Sequence, residues 1–464
     1  MSDVLIDLGL DRTPPVAAEP WSERAAWQRR RLDLRRSPRL RRWIAAAAAF
    51  VATVAGVGAS TPARPKLEPL FGLPLAEGGD FAVRGDLLYR VLPVPDGTSL
   101  TAYRLRDGAP QWSAELRSGT ASTTERLASL WPTDDVIIIG GMTMPDGTFG
   151  GLPVGRTAAY DGETGRLLWS REGFAQGRLP AGQLLMYRDI PPPPLATSGD
   201  VEYVAVDIRT GAVGWMLRQP SIAQQQTAFD YSDADQVWEW MATVTSDGVV
   251  SIRDLATGQV VGTSRGDPLP PDARLDLFDD MLIIWDTGGP APTLEAYDLN
   301  GLTPLWTAPA NRDEYLGRCG PWICVSGNNI TRALDPADGK VRWGDTTWQS
   351  AGQPFSPWPR DLLVSSSYHS GRTRNALLDA ATGRIRRDLG DWQIESFPEE
   401  VTGLLLSRRP SEGAPASFAV LPMDLGEMEW LGVIDKTRNC RIAADLLICA
   451  MIDNQIRAWR IRRP

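Results

Sequence analysis

The stretch Ala159 to Trp169 reads AYDGETGRLLW, two short runs of alternating character set around a polar turn. Ala-Tyr-Asp and Leu-Leu-Trp have the two-residue period of strands, and the Gly- and Thr-bearing segment between them has the composition of a hairpin turn. Its glycine takes a positive φ that other residues resist, and its Asp and Thr hydrogen-bond backbone groups inside the turn. Ahead of most such hairpins runs a further apolar strand: Asp135 to Ile139, Met281 to Ile284, Asp361 to Val364, Gly403 to Leu406 and Asp445 to Ile448. Each unit therefore holds at least three strands, with length left for a fourth.

Eight copies of the hairpin align: Ala102–Trp112, Ala159–Trp169, Ala205–Trp215, Ile252–Gly262, Ala296–Trp306, Ala333–Trp343, Leu377–Arg387 and Val420–Trp430. Their starts lie 37 to 57 residues apart. The aspartates expected to close the turns are Asp161, Asp207, Asp254, Asp298, Asp335 and Asp379, with Arg104 and Pro422 in the first and last copies. The glycine falls one residue early in the fifth copy, at Gly301, and is Gly426 in the eighth. The tryptophan is replaced in the fourth and seventh copies. A ninth, partial copy closes the chain at Gln455 to Arg460. Four-stranded units of forty-odd residues in series are the signature of an all-β propeller.

The pattern Ala-x-Asp-x-x-Thr-Gly-x-x-x-Trp resembles the repeat of pyrroloquinoline-quinone-like propellers, over nearly all of residues 80–464. Eight copies favour eight blades, with seven as the alternative. The partial copy then completes a blade shared with the N-terminal part, which closes the ring and removes exposed edges. The resemblance implies that Trp112, Trp169, Trp215, Trp306, Trp343 and Trp430 dock between adjacent blades. Within the family, the chain resembles the propeller scaffold lipoprotein of the outer-membrane barrel assembly machine. This chain departs from it by lacking a lipidated cysteine.

Composition adds a compartment. The 464 residues include 18 Trp, 44 Gly and 37 Pro, and the net charge is −9, which argues against general nucleic-acid binding. Residues 1–42 hold ten Arg against six acids, a net +4, so the remainder carries −13 of the total −9. Trp43 to Ala59, WIAAAAAFVATVAGVGA, is uncharged and just long enough to span a bilayer. Arg35, Arg36, Arg39, Arg41 and Arg42 precede it and hold that flank in the cytoplasm. The expected organisation is a basic cytoplasmic tail (1–42), a transmembrane helix (43–60), a Pro-rich spacer (61–79) and an extracytoplasmic propeller (80–464). A cleaved signal peptide is the alternative, with a long leader against it.

The four cysteines pair most simply within blades, as Cys319–Cys324 and Cys440–Cys449, and an exported body makes disulfides reasonable. Cys324 and Cys449 lie eleven residues before Asp335 and Arg460, which gives them equivalent repeat positions. A zinc site lacks a nearby histidine, and a redox pair lacks the CxxC spacing.

No catalytic, cofactor or metal residue is assigned. Members of the family that bind the quinone use calcium, an Asp base and commonly adjacent cysteines, and no adjacent pair occurs here. The sole histidine, His369, has no Gly-x-Ser-x-Gly elbow to support a hydrolase. Asp230, Asp233 and Asp235 depart from a calcium-loop spacing, and Pro191 to Pro194 read as a surface connection. The expected function is a non-enzymatic scaffold on the cytoplasmic membrane, binding a protein or envelope component through a rim or the central funnel. A quinone-dependent oxidoreductase and a transmembrane sensor are the rival classes.

Overall fold

The computed structural model describes residues 66–462 except for 95–96, 118–124, 134, 144–153, 191–199, 221–225, 232–236, 246–247, 266–272, 279, 287–290, 328–329, 349, 352–359, 368–372, 397–402 and 412–413. The apolar stretch 43–60, the tail 1–42, the Pro191–Pro194 run, Asp233, Asp235 and His369 lie outside these. Among the described residues no helix is long and apolar enough to cross a membrane.

The strands form nine four-stranded antiparallel sheets. Blades 1 to 8 are each built from four consecutive strands, spanning 80–117, 125–172, 174–220, 226–265, 274–309, 315–345, 350–390 and 393–434. Each of the eight hairpins supplies the third and fourth strands of one of them. Blade 9 takes three strands from 437–461 and its fourth from the N-terminal strand Leu67–Pro74, which pairs with Gln455–Ile461. The expected count of eight, or seven, is therefore corrected to nine. The partial ninth copy does not finish one of the eight blades; with the N-terminal strand it makes a complete blade of its own. The spacer expected at 61–79 is corrected with it, because Leu67 to Pro74 is a ladder strand.

The ring is held by apolar side chains between blades. In Val136–Ile139 the strand period of two sends alternate residues to opposite faces. Ile137 and Ile139 pack against blade 1 beside Tyr89, Val91 and Leu100, while Val136 and Ile138 pack against Leu184 and Met186 of blade 3. A run that is apolar at every position is what a sheet covered on both faces needs. Nine such clusters join successive blades. The last sets Ile448 and Ala458 of blade 9 against Phe81 and Leu88 of blade 1, so the ring closes. Sealing the last blade with the first strand of the domain leaves no blade face uncovered.

Candidate functional site

The repeat's fixed residues meet at the blade junctions. In blade 2 the Asp161 carboxylate accepts from Thr164 N (2.9 Å) and Thr164 Oγ1 (2.7 Å), and Gly165 N donates to Asp161 O (2.9 Å). Asp207 and Asp379 make the same contacts with Thr210 and Thr382. Asp254 accepts from Thr257 N, Asp298 from Asn300 N, and Asp335 from Ala337 N and Arg342. The Thr164 hydroxyl and amide hold the Asp161 carboxyl below the usual carboxylate range, and the Thr210 amide and hydroxyl do so for Asp207. Blade 1, with Arg104 in place of the aspartate, closes its turn through Asp107, which accepts from Ala109 N and pairs with Arg104.

The turns of blades 2, 3, 4, 6 and 7 each receive the tryptophan of the preceding blade. Trp112 Nε1 donates to Gly162 O (3.0 Å), Trp169 to Ile208 O (2.8 Å), Trp215 to Leu255 O (2.9 Å), Trp306 to Pro336 O (2.7 Å) and Trp343 to Ala380 O (3.0 Å). The indole lies flat over the turn glycine. A Cβ on Gly211, whose φ is +68°, would sit 2.6 Å from Trp169 Cγ. The glycine is thus required twice, by backbone conformation and by the ring above it.

A β-bulge aims these tryptophans. In blades 1 to 7 one unpaired residue directly precedes the tryptophan position, such as Leu168 before Trp169, whose own partner is Ala159. The extra residue turns the next side chain toward the neighbouring blade. The tryptophan position of blade 9 is filled by Phe71, which pairs with Ala458 and lies over Gly108 of blade 1. The signal for it was Ala458 itself, the repeat's alanine, lacking a C-terminal strand to face it.

Two junctions reverse the arrangement. Blade 4 has Gly262 opposite Ile252 where a tryptophan stands elsewhere. The next turn carries Leu302, at φ +48°, in the glycine place, with its N donating to Asp298 O. Leu302 is buried between blades 4 and 5 with Ile252 and Leu282. Likewise Arg387 of blade 7 is followed by Leu425 of blade 8, at φ +59° and packed beside Leu377 and Leu389. The positive φ belongs to these leucines and not to Gly301 or Gly426.

Trp430 stands apart from the other five. Blade 9 has no turn between its third and fourth strands, since the two come from opposite chain ends. In blade 8 the bulge follows the tryptophan, at Leu431, and Leu431 enters the junction while Trp430 is left 40% exposed.

Both disulfides form within their blades, Cys319–Cys324 with Cα atoms 5.5 Å apart and Cys440–Cys449 with 4.1 Å. They are not equivalent in the repeat. Cys324 pairs with Ala333, whereas Ile448, not Cys449, pairs with Ala458. One residue of slip moves a side chain to the other face. Cys319 and Cys324 accordingly face blade 7, and Cys440 and Cys449 face blade 8.

The ionisable groups inside the ring are mostly paired. Glu314 is 2% exposed and holds Asn311 and Arg332, while Asp361 takes both oxygens to Arg386. Asp276, on the first strand of blade 5, differs: burial pushes its carboxyl up to about 7, against the opposing pull of Arg274. Among the described residues no group of three or more His, Cys, Asp and Glu is placed to hold a metal ion.

Residues 97–267 match the family described as outer membrane protein assembly factor BamB. Among solved structures, BamB from Moraxella catarrhalis is 14% identical with a TM-score of 0.40, over 86% of this chain and 98% of that one. The computationally designed Ika8 protein is 12% identical with a TM-score of 0.41, over 85% and 100%. A europium-containing methanol dehydrogenase is 12% identical with a TM-score of 0.34, over 64% and 72%. No curated relative matches the chain in sequence. With its nine blades, its Asp-Thr-Gly turns and its docked tryptophans, the chain is a β-propeller whose residues 97–267 are similar to the pyrroloquinoline-quinone-like repeats of the BamB family.

Proposed function

We propose that the protein is a membrane-anchored, extracytoplasmic scaffold that binds a protein or envelope component and catalyses no reaction. The observation that carries this reading is how the repeat's distinctive residues are used. Its Asp, Thr, Gly and Trp join blade to blade, and so supply architecture in place of a reactive constellation. The family that residues 97–267 match is described as an outer membrane protein assembly factor, which supports a binding role for this chain. The two disulfides favour an oxidising compartment, and the arginine-flanked apolar stretch at 43–60 supplies an anchor with the N-terminus inside.

Cross-linking the anchored full chain in its own membrane, followed by capture, tests the scaffold. A defined partner that is lost when Trp169→Ala loosens the ring is the expected result. Titration with calcium and the quinone tests the enzyme class. Stoichiometric uptake with the cofactor's absorbance would overturn the scaffold reading.

A further inference from the structure

We infer that the closing seam and the adjoining Trp430 form the face the propeller lays on the membrane, where they contact the bilayer interface. The inference rests on the anchored reading above and adds to it an orientation and a contact.

Three observations place the seam there. The first is that Trp430 is turned out. Five other repeat tryptophans give their indole N–H to a carbonyl of the next blade, while Trp430 is 40% exposed and its Nε1 has no partner among the described residues. The displaced bulge at Leu431 produces this, and bulges are a recurrent means of re-aiming a side chain. Val433, 55% exposed, lies on the same strand.

The second is where the chain enters. Lys66 hydrogen-bonds to both neighbours of Trp430, its N to Leu431 O (3.2 Å) and its Nζ to Glu429 Oε1 (2.6 Å). Only residues 61–66 separate this point from the end of the apolar stretch 43–60. Six residues reach at most about 20 Å when fully extended. On the anchored reading, chain length alone limits how far Trp430 stands from the bilayer surface, the depth at which tryptophan is enriched in membrane proteins.

The third is charge. Arg462 N donates to Lys66 O (2.7 Å), so Arg460 and Arg462 gather at the same corner. Lys66, Arg460 and Arg462 pair with Glu429, Asp445 and Glu68, at 2.6, 3.7 and 3.1 Å. Each cation of the corner is thus matched by an acid, so the corner is close to neutral on a body whose net charge is strongly negative, and an anionic leaflet repels it less than it repels that body as a whole.

The test uses the full chain, labelled with fluorotryptophan and reconstituted into vesicles of phosphatidylcholine and phosphatidylglycerol. The fluorine resonance missing from Trp430→Leu assigns the residue, and the variant's disulfides and circular dichroism confirm its fold. Flotation with the vesicles tests the anchor by itself. The expected result is flotation together with loss of the Trp430 resonance when the lipid carries a nitroxide, but not when the nitroxide is in the water. Flotation with the resonance lost only to the aqueous nitroxide would overturn the inference and leave the anchor standing. A resonance shielded from both, with dimers or a second protein on the vesicles, would also overturn it. Failure to float would remove the anchor and this inference together.

Discussion

The junction between blades 2 and 3 and the junction between blades 4 and 5 solve one problem in opposite ways. In the first, blade 2 supplies the bulk, Trp169, and blade 3 supplies the room, Gly211. In the second, blade 4 supplies the room, Gly262, and blade 5 supplies the bulk, Leu302. Both fill the junction with one large apolar side chain set against a glycine. The first arrangement also gains an indole hydrogen bond and an unstrained glycine, while the second holds a leucine at positive φ, at a cost of roughly 1–2 kcal/mol. The two changes stand within one junction, as compensation requires. Only the leucine half recurs between blades 7 and 8, where Leu425 holds a positive φ but Arg387 stands at the facing position.

The largest break in this comparison is removal of the bulk from the tryptophan side. Trp169 is 8% exposed and its indole joins the apolar cluster of Ile138, Leu184 and Ile208. Trp169→Ala leaves a cavity and an unpaired Ile208 carbonyl, and is expected to cost about 3–5 kcal/mol. Denaturant unfolding of the full chain measures it. Gly262→Ala, the matching position of the reversed junction, meets Leu299 O at 3.2 Å and Ile252 Cβ at 4.0 Å, and is expected to cost below about 1 kcal/mol. Equal losses from the two variants would mean that the tryptophan is not the element holding the junction.

The next effect comes from the room side. Gly211→Ala strains a backbone at φ +68° and drives a methyl group into Trp169. An expected loss of about 2–3 kcal/mol combines the two causes. Gly301→Ala is the control, because its added Cβ would meet only Thr303 Cγ2 at 3.7 Å and its φ is not positive. That variant is expected within about 0.5 kcal/mol of the parent. Aligned by composition alone, Gly211 and Gly301 are the same residue of the repeat; the melting of these two variants separates them.

These contrasts show what the chain discloses before it is folded. The hairpins, their order and the within-blade disulfides were legible, because period, turn chemistry and cysteine spacing are local. The blade number was not. Blade 9 draws its outer strand from Leu67–Pro74, and its docking aromatic is Phe71, nearly four hundred residues from its pairing partner Ala458. A proline-rich segment next to an apolar stretch reads as spacer until a strand edge is there to receive it. The bulges were equally hidden, since Leu-Leu-Trp in blade 2 looks like plain alternation and only pairing shows that Leu168 is extra. The same one-residue arithmetic misled the cysteines. Cys324 and Cys449 stand at equal sequence offsets, but the register of blade 9 is slipped by one and they face opposite ways.

The compensation itself is open to a thermodynamic cycle. Introducing Gly262→Trp alone crowds Leu302, and Leu302→Gly alone removes buried surface while relieving the positive φ. Together they rebuild the arrangement of blades 2 and 3. A coupling of about 1–3 kcal/mol favouring the double variant is expected, as for residues in direct contact. Additivity within experimental error would show that the two substitutions are independent accidents of the sequence.

The smallest effect is one of sign. The turn carboxylates Asp161 and Asp207 are held below their usual range, so they stabilise the fold above the unfolded carboxylate pKa, and that contribution fades as the pH falls through the folded value. Asp276 of blade 5 behaves oppositely. Its carboxyl is pushed up to about 7, so between roughly pH 4 and 7 the folded state binds a proton that the unfolded state has released. Stability therefore drops as the pH rises through that window, and the penalty is complete above it. Asp276→Asn removes the penalty. The whole displacement converts to roughly 4 kcal/mol, but the side chain keeps some contact with solvent, and a gain of about 1 kcal/mol is the expected size. The variant should exceed the parent in denaturant midpoint at pH 8 and fall back toward it at pH 4. A gain that is the same at both pH values would assign the effect to packing and leave the carboxyl's ionisation with no part in the stability of blade 5.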